Sequence, residues 1–167
     1  MAHASLIRGR VLDIAAGAGR NGLFLARRGD IVEAIDISLT ALRRACAAAQ
    51  AEGLQLFAVQ ADLEAFRLPT DRYDAAINIR YLQRSLFEPL QRAVKPGGVI
   101  VFETFLIDQC TIGHPRNPAF LLQHGELRSA FTAACELLVY EEGLMESGGQ
   151  PAYLARMIAR RRTPARA

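Results

Sequence analysis

Three carboxylates and one amide, Asp13, Asp36, Asp62 and Asn78, stand at or just past the ends of short apolar runs. Beside the first of them lies a glycine pattern, Gly17, Gly19 and Gly22, of the form G-x-G-x-x-G. Between a strand and a helix, the first glycine permits a tight turn. The second lets a ligand approach the backbone, and the third lets the helix pack close to the sheet. Asp36 closes the next apolar run, about 20 residues further on, where an acid takes ribose hydroxyls. The set reads as a site for an adenosine-containing cofactor. The plainer alternative is a glycine-rich turn that only packs a helix on a sheet, and the strand, helix and acid around it argue against that.

Asp13 narrows the choice. Nicotinamide and flavin cofactors place pyrophosphate over the helix N-terminus, and a nearby carboxylate opposes that charge. Asp13, four residues before Gly17, suits a ligand with a cationic amino-acid end and no phosphate. S-adenosylmethionine is such a ligand. An Asp here can also cap the turn by accepting backbone N–H bonds, and both roles can hold together.

A second set of side chains could hold a reaction partner. Arg80 and Arg84 follow the run that ends at Asn78, and His114 and Arg116 lie in a long loop. Guanidinium groups match oxyanions in bidentate geometry. Arg80 and Arg84 are spaced to share a helix face. For each arginine taken alone, a solvated or salt-bridged role is the ordinary alternative. Cys110 and His114 are four apart, but the Thr-Ile-Gly between them does not read as helix, and no metal site is expected.

The elements that position these residues alternate. Strands are expected over residues 11–14, 31–35, 56–59, 73–78 and 99–103. Helices are expected over 20–28, 39–52 with Ser38 as N-cap, 86–94 and 126–134. Pro96-Gly97-Gly98 reads as a turn before the fifth strand, and residues 106–118 as a functional loop. Residues 137–141 and 153–160 read as a hairpin closed around Gly148-Gly149. This order gives an α/β fold: a doubly wound, Rossmann-like, mostly parallel sheet with helices on both faces and an antiparallel hairpin strand at the C-terminal edge.

Composition sets bounds. A chain of 167 residues, 51% hydrophobic, suffices for one domain with a proper core. Residues 1–160 are assigned to that domain and 161–167 to a basic, disordered tail. No apolar run reaches membrane-spanning length, and residues 1–8 lack the basic-then-apolar order of a secretory signal. No membrane association and a cytoplasmic location are expected. Cys46, Cys110 and Cys135 form no disulfide framework and no C-x-x-C pair. Lys95 is the only lysine, and Arg156, Arg160, Arg161, Arg162 and Arg166 crowd the end of the chain. Without interleaved aromatics that run reads as a solvated tail, so nucleic-acid substrates are discounted.

The stretch Val11-Leu-Asp-Ile-Ala-Ala-Gly-Ala-Gly19 resembles the first motif of the class I S-adenosylmethionine-dependent methyltransferases, and the likeness extends over residues 9–160. Where the family has glycine, this chain has Ala15, a departure that is mild at negative φ and costly otherwise. The family implies a seven-stranded sheet. It implies S-adenosylmethionine as cofactor, with S-adenosylhomocysteine as product. Asp13, Ala15, Gly17, Gly19 and Asn21 would lie in the first turn. Asp36 and Ile37 would hold the ribose, Asp62 and Leu63 the adenine, and Asn78 and Ile79 the methionine side. Asn78-Ile-Arg-Tyr-Leu, Glu103-Thr-Phe and Arg116-Asn-Pro-Ala-Phe-Leu-Leu resemble a bacterial subgroup associated with tellurite resistance. That implies a small anionic or soft acceptor, a tellurite- or selenite-like oxyanion or a thiol, positioned by Arg80, Tyr81 and Arg116. Family members carry lid helices before the first strand. Here they are missing or very short, so a homodimer or partner chain over the cofactor site is expected, with weak binding by a monomer. Two alternatives stand beside this reading: a non-catalytic cofactor-binding subunit or sensor, and an NAD-dependent oxidoreductase.

Overall fold

Short, β-branched apolar runs between glycine-bearing turns give the strands of a single sheet. The computed structural model describes residues 4–163. The strands are β1 (Arg10–Ile14), β2 (Ile31–Asp36), β3 (Leu56–Gln60), β4 (Tyr73–Ile79), β5 (Val94–Phe105), β6 (Cys135–Ser147) and β7 (Gln150–Arg161). The helices are α1 (Arg20–Ala26), α2 (Leu39–Ala51), α3 (Phe87–Ala93), α4 (Gln109–Ile112) and α5 (Glu126–Phe131). The seven strands lie in the order β3-β2-β1-β4-β5-β7-β6. The first five in that order are parallel, and β7 runs antiparallel to both of its neighbours.

Each face of the sheet is covered by a different set of helices. On one face Val11, Val32, Ala34 and Ile77 pack with Leu25 of α1 and with Leu42 and Ala45 of α2. Ser38 caps α2, its hydroxyl accepting the Ala41 N–H at 3.2 Å. On the other face Leu12, Ile14, Ile100 and Phe102 meet Leu90 of α3 and Leu127 and Phe131 of α5. Phe87, Phe102 and Phe131 form an edge-to-face cluster with centroids 5.6–5.9 Å apart, a favoured geometry for aromatic rings.

The departures from the expected elements are local. Pro96-Gly97-Gly98 is not a turn ahead of β5 but an extrusion within it. Tyr73 pairs with Val94 and Ala75 with Val99, so the residues between are looped out, with Gly97 at φ 81°. The hairpin closes at Gly148-Gly149 as expected, with φ 61° and 77°. Two positive φ values suit the tight hairpin turn whose twist matches that of the strands. Its strands are far longer than the apolar pattern implied, because their tips stand beyond the core, where hydrophobic alternation is lost. The Thr-Ile of residues 111 and 112 is helical after all, within the single turn of α4. Arg161, assigned to the basic tail, is the last residue of β7; it bonds the carboxylate of Asp71 and the carbonyls of Arg92 and Val94. The tail's final residues, 164–167, lie outside the described residues. None of the described helices is long and apolar enough to cross a membrane.

Candidate active site

The strand order reverses between β1 and β4, and ligands of open α/β sheets bind at the carboxyl ends of the strands at such a point. The turn after β1 is built from left-handed backbone: Ala15, Gly17 and Gly19 have φ 51°, 56° and 77°. Ala15 is therefore in the costly case, since a Cβ disfavours that region. The glycines divide their work differently from the motif's usual account. A Cβ on Gly17 would meet nothing within 4 Å, so this is the position open to a ligand. A Cβ on Gly19 would stand 2.7 Å from the Ala45 Cβ, so Gly19 brings α2 close. A Cβ on Gly22 would lie 2.9 Å from Asp13 Oδ2 and 3.1 Å from Val32, which agrees with its packing role.

Asp13 lies beneath this turn, 2% exposed, and its Oδ2 has no hydrogen-bond partner. Burial pushes its carboxyl up to about 7; the Gly22 N–H opposes this and the charge of Asp36 adds to it. Asp36 accepts the N–H groups of Gly17 and Ser38, both at 2.8 Å, and so fastens the glycine turn to the end of β2. Asp62 accepts the Glu64 N–H at 2.9 Å and starts a turn, not a helix, between β3 and β4. Asn78 is buried, and its amide donates to the Tyr81 carbonyl at 2.7 Å, holding the bend after β4.

Two hollows open side by side on this rim. The first, of about 360 Å³, is lined by Ala15, Asp36, Ile37, Ala61, Asp62, Leu63, Glu64 and Tyr81. The second, of about 420 Å³, is lined by Glu64, Arg80, Tyr81, Leu82, Gln83, Thr104, Phe105, Pro115 and Phe120. Glu64 and Tyr81 border both. The Tyr81 hydroxyl donates to Gln83 Oε1 at 2.5 Å. Burial, then the charges of Glu64, Asp62 and Asp36, hold its pKa above the usual phenol range, so it stands as a neutral wall and donor.

Arg80 is held on several sides. It sits at φ 64°. Its Nε lies 3.1 Å from Glu103, its Nη2 donates to Ser147 Oγ at 2.5 Å, and its guanidinium stacks 4.4 Å from the Phe105 ring. Nη1 has no partner. Burial pulls the guanidinium pKa below its ordinary value; Glu103 opposes this, while Arg156 and Arg20 add to it. Glu103 is shared, because Arg156 Nε also donates to it at 2.5 Å.

The sequence-assigned residues divide accordingly. Ala15, Asp36, Ile37, Asp62 and Leu63 line the first hollow, and Tyr81 joins both. Asp13, Gly19 and Asn78 lie buried beneath the rim. Asn21 and Ile79 are half-buried and border neither hollow. Arg116 is exposed, and it is Pro115 of the same loop that lines the second hollow. Arg84 shares no helix face with Arg80, for it begins a separate 3-10 turn. Its guanidinium is spent on Glu126 and on the carbonyls of Ala119 and Leu121, tying down the loop. Ser147, Glu64 and Arg156 escaped the sequence reading. Ser147 is 67 residues from Arg80, and no local pattern marks a hairpin tip as a neighbour of β4. Among the described residues no cluster of three or more His, Cys, Asp or Glu could hold a metal.

The fold and rim define a Rossmann-like domain with two adjoining hollows at the carboxyl ends of its strands. Residues 11–98 match the methyltransferase domain family, and the chain belongs to it. A malonyl-[acyl-carrier protein] O-methyltransferase of Salmonella typhimurium is 34% identical over 109 residues, covering 60% of this chain and 42% of that protein. An uncharacterized protein of Mycobacterium tuberculosis is 33% identical over 96 residues, covering 54% of this chain and 35% of the other. The chain thus spans less than half the length of these curated relatives. Among solved structures, TehB from Haemophilus influenzae superposes with a TM-score of 0.80 at 22% identity, over 92% of this chain and 57% of that one. An S-adenosylmethionine-dependent methyltransferase from Mesorhizobium loti superposes with a TM-score of 0.76 at 21% identity, over 93% of each chain. S-adenosylmethionine is the cofactor that family and neighbours support.

Proposed function

We propose that this chain transfers a methyl group from S-adenosylmethionine to a small anionic or soft acceptor. The observation that carries this reading is the pair of adjoining hollows, one rimmed by acids and the other by an arginine, with Tyr81 and Glu64 between them. The residues of the first hollow fit the cofactor. Beneath it, Asp13 keeps a buried carboxylate oxygen without a hydrogen-bond partner, a charge that a cationic end nearby would compensate. Asp36 and Asp62 offer acceptors for ribose hydroxyls and the adenine amino group, and Ile37 and Leu63 offer apolar walls. When bound, the cofactor supplies an electrophilic methyl on a good leaving group. The chain then has to orient the acceptor and exclude water. Arg80 holds an anionic group, Tyr81 and Leu82 form the wall, and Arg116 stands on the loop at the mouth, where it meets an acceptor as it enters. A base is needed only for an acceptor that must lose a proton. The Salmonella relative's name points to oxygen as one nucleophile of the family. A tellurium or selenium oxyanion rests on the motif resemblance through residues 78–82 and 116–122.

Calorimetric titration with S-adenosylhomocysteine, and with NADH in parallel, tests this reading. Saturable binding of the first alone is expected. Asp36→Ala should weaken it by about tenfold or more, the effect of losing a charged hydrogen bond. Binding of NADH alone overturns the reading. Ile37 is 65% exposed at the rim of the first hollow, where the cofactor or a second chain would cover it. Sedimentation with and without S-adenosylhomocysteine tests for that chain, and tight binding by a monomer removes it.

A further inference from the structure

The second hollow is larger and greasier than an inorganic oxyanion requires. At about 30 Å³ per water, a three-oxygen anion needs on the order of 100 Å³. The hollow offers about 420 Å³, within the usual range for organic ligands of roughly 300–1,000 Å³. A bare oxyanion would leave most of it as water against Phe105, Pro115 and Phe120. Phe120 is 54% exposed there, apolar surface left in solvent at the mouth of a site.

The charges set a direction. Glu103 is shared by two guanidiniums, those of Arg80 and Arg156, so one carboxylate faces two cations at this end. Arg80 lines this end of the hollow, its Nη1 buried and without a partner. The carboxylate of Glu64, on the side shared with the first hollow, repels an anion. A ligand with one anionic group is therefore turned with that group toward Arg80, its remainder lying along the phenyl rings.

We infer that the acceptor is an organic acid with an apolar body, anionic group toward Arg80 and body against Phe105, Pro115 and Phe120. This rests on the reading of the second hollow as the acceptor site. It narrows the class from any small anion to arylalkanoate-like acids.

The test is ligand-observed NMR titration of the full chain, with and without saturating S-adenosylhomocysteine. The probes are 3-phenylpropanoate, 3-phenylpropanol, selenite and tellurite. Saturable binding of the acid is expected, tighter than that of the alcohol, with no displacement by equimolar selenite. Phe120→Ala should weaken the acid by about tenfold or more, the usual effect of removing a buried phenyl contact. Phe57 is equally exposed, at 54%, but lies on β3 outside both hollows. Phe57→Ala should change nothing. The inference is overturned if selenite or tellurite binds as tightly as the acid, if the alcohol binds as well, or if Phe120→Ala has no effect. Absence of S-adenosylhomocysteine binding with retained acid binding overturns the cofactor reading instead and leaves the acid seat standing.

Discussion

A single side chain, Asp13, separates this site from other glycine-turn sites, and its environment makes a pH-dependent prediction. The carboxyl is raised from 3.8 to about 7 by burial, with the Gly22 N–H opposing and Asp36 adding. An acid raised in the folded state stays protonated there after the unfolded chain has ionised. Its cost is absent below the unfolded pKa, grows as pH rises, and is complete above the folded one. Asp13→Asn should therefore raise stability more at pH about 8 than at pH about 4. A cationic ligand over Oδ2 favours the ionised form, so S-adenosylmethionine should bind more tightly as pH rises through about 7 and release a proton as it does. Calorimetry in buffers of different ionisation enthalpy measures this. A wild-type profile no steeper than that of Asp13→Asn would remove Asp13 from the site. At this scale much was legible. Asp13, Asp36 and Asp62 stood out by type and spacing and Tyr81 through the motif resemblance; Asp36, Asp62 and Tyr81 line the first hollow, and Asp13 lies buried beneath it. The surroundings of Arg80 were not legible, because Ser147 bonds it and Arg156 shares its Glu103 through strand pairing remote in sequence.

Among the elements, the turn after β1 carries visible strain. Ala15 lies at φ 51°, where an L side chain costs about 1–2 kcal/mol. Glycine relieves that but loses more chain entropy on folding, by roughly 0.5–1 kcal/mol. Ala15→Gly should thus stabilise the chain by up to about 1 kcal/mol, read as a higher urea midpoint at unchanged slope. A lower midpoint would mean that the methyl group's packing against the core outweighs the strain. The loop of residues 106–122 shows the limit of local reading. Its Arg116 and His114 drew attention as donors, yet Arg84 from outside the loop ties it down through Glu126 and two carbonyls. Composition shows that a loop is polar; which polar groups are already satisfied depends on what packs beside it.

Over the whole molecule, the two ends of the sheet do different work. The carboxyl ends of the strands form the rim, and the amino ends hold a closed ionic cluster. There Glu33 of β2 accepts from Arg72, from the Tyr73 hydroxyl at 2.8 Å and from Arg10 of β1. Burial opposes ionisation of Glu33, but the bonds from Arg72 and Tyr73 and the charges of Arg72 and Arg10 outweigh it and hold its carboxyl below the usual range. A depressed carboxyl stabilises above its unfolded pKa, and that contribution is lost as pH falls through the folded one. Glu33→Gln should cost about 2 kcal/mol near neutrality, as for a charged hydrogen bond, and less in acid, by urea unfolding at several pH values. An equal cost across the range would show packing, not charge, at work. Sequence alone determined the element types, the doubly wound order and the placing of Asp36 and Asp62 at the carboxyl ends of strands, because these follow from local periodicity, glycine placement and the handedness of crossovers. Only the tertiary structure decided the rest: that Ala15 is strained, that Arg84 is spent on a loop, that the hairpin tip grips Arg80, and that an apolar hollow adjoins the rim of acids. The last three depend on residues far apart in the chain, whose proximity is set by strand register and packing and leaves no trace in local pattern, and the first on a backbone angle that residue type does not reveal.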